Sequence, residues 1–262
     1  MLEKEKKKIS NISKTTTYHY IKFAWRLLLF LSVLVIYTVN KVFNKKFDPL
    51  LENLKTNVYI YAIILVIWSI YVIEIFLRFF PSKIESMGCQ KQFKRNYIPK
   101  EPLEKPARQS WWRTLSATAA WVALNAVFVT LYFCHVIDGG VLIILSLFYS
   151  VCDMICILFF CPFQTWFMKN RCCVSCRIYN WDYAMMFTPL VFIKNPFTMS
   201  LFFLALSLLI EWEILYRRYP ERFCRNTNEA ISCANCKEKL CKHKRQLQRF
   251  IKKLKTIEKY KN

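Results

Sequence analysis

Glycine is nearly missing from this chain, with three in 262 residues: Gly88, Gly139 and Gly140. That leaves no GxGxxG or GxxxxGK loop to wrap a phosphate and no GxSxG turn to present a nucleophilic serine. Nucleotide-binding and hydrolase functions built on those loops are excluded. Histidine is as scarce, at His19, His135 and His243, so there is neither an HExxH pair nor a multi-histidine metal centre. Acidic residues are few as well, 17 against 39 Lys+Arg, for a net charge of +22. What the chain has instead is apolar bulk: 55% of residues are hydrophobic and 17% aromatic, where an ordinary soluble domain is about 45–50% apolar. So much apolar and so much basic material must be segregated along the chain.

Segregation is what the sequence shows. Apolar runs occupy 23–39, 58–77, 115–137, 141–160 and 197–216, each near the ~20 residues that cross a ~30 Å hydrocarbon core. A shorter run, 183–193, is interrupted by Pro189, and eleven residues of straight helix reach only ~17 Å. Charge decides whether it crosses. With six crossings and both termini inside, the cytoplasmic segments 1–22, 79–113, 169–177 and 217–262 hold six, eight, three and fifteen Lys+Arg. The outer segments 40–57, 138–140 and 194–196 hold four, none and one. That division, 32 against five, is what the positive-inside rule asks for. Six of the eight tryptophans, Trp25, Trp111, Trp112, Trp166, Trp181 and Trp212, fall at the expected cytoplasmic helix ends, where an amphipathic ring belongs. Bulky residues 36–39 follow the first run, so it reads as an uncleaved anchor.

The expected fold is therefore all-α: a polytopic helical membrane protein of about six transmembrane helices, with a cytoplasmic cysteine-rich module and a basic C-terminal amphipathic helix. Residues 1–22 form a basic N-terminus, 23–77 a first transmembrane hairpin and 78–114 a solvated, proline-containing connector. Residues 115–160 form a second hairpin, 161–182 a cysteine-rich segment, 183–216 a third hairpin with a short broken first helix, and 217–262 a cysteine-rich basic tail. In that tail Leu247, Phe250, Ile251, Leu254 and Ile257 recur at helical spacing among lysines and arginines. Such a helix lies on anionic lipid headgroups. Nucleic acid is not expected, since no recognised binding motif accompanies the charge; the bilayer, and a membrane protein partner, are.

Polar groups inside the runs are the next signal. Lys22 and Arg26 are placed to snorkel to the headgroups, while Glu74 with Arg78, and Glu213 with Arg217, are spaced to pair along one helix face. Taking Asp138-Gly139-Gly140 as a tight turn puts Asp153 opposite Asn125, a polar clasp helped by the small residues Ser116, Ala119, Ala120, Ala123 and Ala126. Asn125, Asp153 and Glu211 are the candidates for a solute or ion path. Asp182 is expected as a helix N-cap. Cys134, His135, Cys152 and Cys156 do not converge in that arrangement and read as packing residues.

Cysteine carries the strongest chemical signal. Eight of the twelve lie towards the cytoplasmic side, in two groups that each contain a CxxC: Cys161 with Cys172, Cys173 and Cys176, then Cys224 with Cys233, Cys236 and Cys241. Two CxxC knuckles complete the tetrahedral sulfur shell of structural zinc, and a membrane hairpin between them returns the chain to the same face. The candidate metal ligands are Cys172, Cys173, Cys176, Cys224, Cys233, Cys236 and Cys241, with zinc expected and an iron–sulfur cluster as the alternative. The functional expectation is a membrane protein with a cytoplasmic thiolate metal site. The alternatives are a small-solute or ion transporter and a membrane thiol oxidoreductase. No catalytic residue is assigned.

Overall fold

The computed structural model describes residues 14–44, 58–81, 88–101, 104–170 and 172–232. The amphipathic helix expected at 246–260, together with Cys233, Cys236, Cys241 and His243, lies outside the described residues. Among those described, the chain is all-helical, with one isolated antiparallel bridge between Pro99 and Asn228 and no strand. The main helices are α1 (Lys14–Asn44), α2 (Val58–Phe76), α3 (Trp111–Phe133), α4 (Gly139–Leu158), the short α5 (Asp182–Phe187) and α6 (Pro196–Arg218). Four of them, α1, α3, α4 and α6, are long and apolar enough to cross a bilayer, the build of an integral membrane protein. α2 contributes a shorter apolar helix.

Helix ends follow local chemistry. The Asp138 carboxylate accepts the Val141 N–H at 3.1 Å and caps α4. Asn195 does the same for Phe197 at 2.9 Å, with Pro196 at the first helical position of α6, where its missing N–H costs nothing. α1 has no glycine or proline and runs 31 residues, about 46 Å. Its buried positions, Thr16, His19, Lys22, Arg26 and Leu29, recur at three and four, and Tyr37 follows two turns on, so that all form one stripe.

That stripe packs along α4, the most extensive helix pair in the structure. α4 is the central helix; Leu142, Met154 and Leu158 are almost fully buried. α6 buries Leu201, Ala205, Leu208, Trp212 and Tyr216 against α5 and α2. α3 stands at the margin. It buries only Thr114, Ala117 and Asn125, and its small residues Ser116, Ala119, Ala123 and Ala126 are exposed. The close contact with α4 through these small residues, read from the sequence, is thus not made. Residues 134–138 make a five-residue non-helical turn, with His135 in the left-handed region at φ 56°. Counting these residues as helix shifts the register, and Trp121, not Asn125, meets α4, its ring 4.6 Å from that of Tyr149.

The helices end in a polar layer. Residues 88–101 and 104–110, expected as a solvated connector, are bound into it by side-chain amides, with Gln92 and Asn228 buried and Gln109 half-buried. Gln92 donates to the Val174 carbonyl at 2.6 Å and accepts from Asn180 at 2.8 Å. Gln109 donates to the Ser175 carbonyl at 2.7 Å, and Asn228 to the Lys91 and Arg222 carbonyls at 3.1 and 2.8 Å. Glu229 N–H reaches the Ile98 carbonyl at 2.8 Å. Cys89, an isolated loop residue in the sequence, is buried in the main core.

Candidate functional site

Where the polar layer meets the helices, three cations and three carboxylates are folded together. Arg26 of α1 is 1% exposed. One of its nitrogens donates to Asp153 Oδ2 of α4 at 2.8 Å and to the Ser150 carbonyl at 3.1 Å; the other donates to Glu74 Oε2 of α2 at 3.0 Å. Lys22 Nζ lies 2.8 Å from the same Glu74 oxygen, and the Tyr183 hydroxyl donates to it at 2.9 Å. Arg78 grips Asp182 through two parallel contacts of 2.8 and 2.7 Å, the fork geometry that makes arginine–carboxylate pairs strong. Its guanidinium lies 4.7 Å from the Tyr183 ring centre.

Several local expectations give way to these tertiary partners. Lys22 and Arg26 do not snorkel. Glu74 turns to α1 and Arg78 to Asp182, instead of pairing with each other. Asp182 begins α5 but spends its carboxylate on Arg78 and not on a cap. Glu213 likewise bypasses Arg217, which is exposed, for Arg177 at 2.6 and 3.2 Å and the Trp181 indole at 3.0 Å. Glu213→Ala is therefore expected to cost about 2 kcal/mol, the scale of hydrogen bonds to a charged group, and Arg217→Ala close to nothing. Thermal unfolding of the two variants in one detergent checks the ranking.

The cysteines converge further than their spacing suggested. α4 ends at Leu158, where Phe160 N–H reaches back five residues to the Ile155 carbonyl. Pro162 then leads into a π-type turn, Phe163–Phe167, and Lys169 adopts φ 47°. The chain doubles back over the end of α4, and Cys176 N–H closes on the Cys173 carbonyl at 2.9 Å, folding the CxxC into a tight turn. Cys152, Cys156, Cys161, Cys173 and Cys176 consequently line one cavity of about 120 Å³, with Asp153, Asp182, Tyr149 and Gln164 in its walls. Cys156 and Cys161, five residues apart in sequence, meet on this cavity across the end of α4. Gln164 organises the rest: its N–H points at Cys161 Sγ (3.3 Å) and its Oε1 accepts from Cys173 Sγ (2.9 Å).

No family model, curated protein or solved structure matches this chain. Function has to be argued from the residues themselves. Of the candidate ligands, Cys173 and Cys176 share the cavity. Cys172 adjoins them in sequence, its N–H directed at Asn170 Oδ1 (3.4 Å). Cys224 is elsewhere in the polar layer, donating to the Ala107 carbonyl at 3.2 Å. Among the described residues, no group of three or more His, Cys, Asp or Glu side chains is placed to hold a metal ion. Burial pushes the Cys176 thiol up to about 12, with the neighbouring sulfurs of Cys161, Cys173 and Cys172 adding to the shift. Burial raises Cys224 as well.

The three intramembrane candidates are not gathered at one place. Asp153 lines the thiol cavity and is held by Arg26. Asn125 donates to the Trp121 carbonyl of its own helix at 3.0 Å. Glu211 is half-buried on α6, beside Ser207 and Ile214. Cys152 and Cys156 are the cavity residues that sequence reasoning did not join to the CxxC; Cys161 was grouped with it but not counted as a ligand. A signal was there: Cys161-Pro162 ends the helix five residues after Cys156, and a turn there folds the next cysteines back.

Proposed function

We propose that this is an integral membrane protein with six crossings and both termini in the cytoplasm, whose polar layer carries a thiolate site for a metal ion, zinc first. The observation that carries it is the folded CxxC, whose two thiols line one cavity with three further cysteines. A CxxC turn directs two sulfurs to one centre, and zinc takes four such ligands. The short segment supports the crossing count. Its start, Asp182, is tied to Arg78 and borders Asp153, while Asn195 at its far end borders the same apolar cavity as Gly140. Gly140 and Asp153 are ~20 Å apart along α4. Broken helix is tolerated at membrane depth where protein covers it, and Tyr183, Ala184, Met186, Phe187, Pro189 and Leu190 are all buried. Anionic headgroups are the natural partners of the basic cytoplasmic side.

The test is metal analysis with absorption spectroscopy on full-length protein purified without oxygen. About one zinc per chain is expected for a single tetrahedral sulfur site. Iron with sulfide would move the reading to electron transfer. A metal-free protein that folds with every cysteine replaced by serine would end it. That Cys156 and Cys161 line one cavity favours a second reading, a dithiol that cycles through a disulfide. The raised Cys176 ionisation counts against that sulfur as the attacking thiolate. Transport through Asp153 is weakened as a reading, because Arg26 already neutralises it.

A further inference from the structure

We propose that the cleft between α3 and α6 is the seat of one anionic phospholipid, its acyl chain lying in the cleft and its phosphate held by Arg113 and Arg217. This rests on the anionic-headgroup partner proposed above and is independent of the thiolate site. α3 fits loosely: it packs on the turn Phe163–Phe167 and on the segment Thr188–Phe192, more than on α6. The gap between the two spanning helices is a cavity of about 330 Å³, with Ala117 and Trp121 on one wall, Leu206 and Leu209 on the other, and Ala184 and Thr188 between them. Its polar side chains are already engaged. Thr118 Oγ1 donates to the Thr114 carbonyl at 2.9 Å, Thr188 Oγ1 to the Ala184 carbonyl at 2.7 Å, and the Trp181 indole to Glu213 at 3.0 Å. A lining with no polar group to spare for water, between two helices that cross the bilayer, takes hydrocarbon.

Charge at one end of the cleft selects the headgroup. There α3 begins and α6 ends, side by side: the Gln109 N–H reaches the Tyr216 hydroxyl at 3.3 Å, and the Arg177 guanidinium lies 5.7 and 4.7 Å from the Trp111 and Tyr216 ring centres. Arg113 stands one turn from Ala117 on the same row of α3, and Arg217 two turns from Leu209 on the same row of α6. Both are exposed, and neither has an acidic partner among the described residues. Glu213, the carboxylate on that row of α6, is already neutralised by Arg177 at 2.6 Å. Two uncommitted cations, one from each wall, therefore stand where an acyl chain in the cleft would place its phosphate, and the planar guanidinium fork matches phosphate oxygens. Trp111 and Trp112 are exposed at the same level, where the headgroup region holds such rings.

Native mass spectrometry of the full-length protein in detergent, titrated with dioleoyl phosphatidylglycerol or dioleoyl phosphatidylcholine, tests the assignment. The two lipids share their chains, so the difference between them reads the headgroup alone. The parent chain is expected to hold one phosphatidylglycerol in preference to phosphatidylcholine. Arg113→Ala with Arg217→Ala is expected to weaken phosphatidylglycerol binding about thirtyfold, the scale of two basic residues near an anionic surface, and to leave phosphatidylcholine unchanged. Arg95→Ala with Arg218→Ala removes the same charge from exposed positions that do not line the cleft and is expected to keep the preference. Leu206→Trp fills the cleft from a half-buried position and is expected to displace both lipids. A preference kept without Arg113 and Arg217, equal losses from the two arginine pairs, or phosphatidylglycerol retained by Leu206→Trp would overturn the seat while the anionic-headgroup partner stands. A parent chain that does not distinguish the two lipids would remove both.

Discussion

Replacing Arg26 with methionine should destabilise the protein by about 3–5 kcal/mol, the cost of breaking a buried ion pair from one side. The guanidinium serves three acceptors on two helices, Glu74, Asp153 and the Ser150 carbonyl. Methionine fills much of the volume but leaves Asp153 without its ion-pair partner; Glu74 keeps Lys22 and Tyr183. Lysine at this position keeps the charge but has no planar fork to serve two carboxylates at once, so Arg26→Lys should fall between. Adding Asp153→Asn to Arg26→Met should recover part of the loss, because the uncompensated charge is then gone. Thermal unfolding in detergent reads all three, with a drop on the order of 10 °C for the single methionine variant. Lys41→Ala is the contrast: its contact with Asp138 is long, 3.7 Å, and exposed, and such pairs contribute little. Equal shifts for Arg26→Met and Lys41→Ala would contradict the network.

The second large effect is chemical. In metal-free protein at pH 8, Cys176, pushed up to about 12, holds roughly one thiolate in ten thousand, whereas an ordinary thiol near 8.5 holds about a quarter. Alkylation follows the thiolate, so Cys176 should react more than a thousandfold more slowly than an ordinary exposed cysteine. Burial also limits access, but pH separates the two causes. From pH 8 to 10 the rate at Cys176 should rise about a hundredfold, while an ordinary thiol gains only about fourfold as it saturates. Mass spectrometry of iodoacetamide-treated protein, site by site, measures both. A Cys176 rate at pH 8 comparable to that of denatured protein would refute the burial argument.

Much of the architecture was readable in the apolar runs. The run at 141–160 became Gly139–Leu158 and that at 197–216 became Pro196–Arg218, because hydrophobic length and cap residues are local properties. The first run, 23–39, underestimated α1, which continues through polar residues from Lys14 to Asn44. Hydropathy does not register a helix whose end is held by ion pairs. The charge partners were illegible for a related reason. Spacing of four residues offers Glu74 to Arg78 and Glu213 to Arg217, but the structure offers buried partners on other helices, where a low dielectric makes the same contact stronger. The CxxC was visible as a motif. Its cavity was not, because that depends on the turn after Cys161, and a one-dimensional reading kept Cys156 on a membrane helix and Cys173 in a loop. Gln92 and Gln109 show the same limit: they lie in a connector of charge and proline that read as solvated, yet Gln92 is a buried crosslink and Gln109 a half-buried one.

The polar layer is assembled from stretches around residues 88–110, 161–181 and 219–232, and each depends on hydrogen bonds from the others. No contiguous piece of the chain contains it, so it cannot be cut out and produced as a soluble domain. During synthesis, Gln92 and Gln109 emerge long before the carbonyls of Val174 and Ser175, and Lys91 and Ile98 wait longer still for Asn228 and Glu229. The layer is consequently the last part of the protein able to close, after the membrane helices between its segments are in place. Its completion reports that those helices have been delivered.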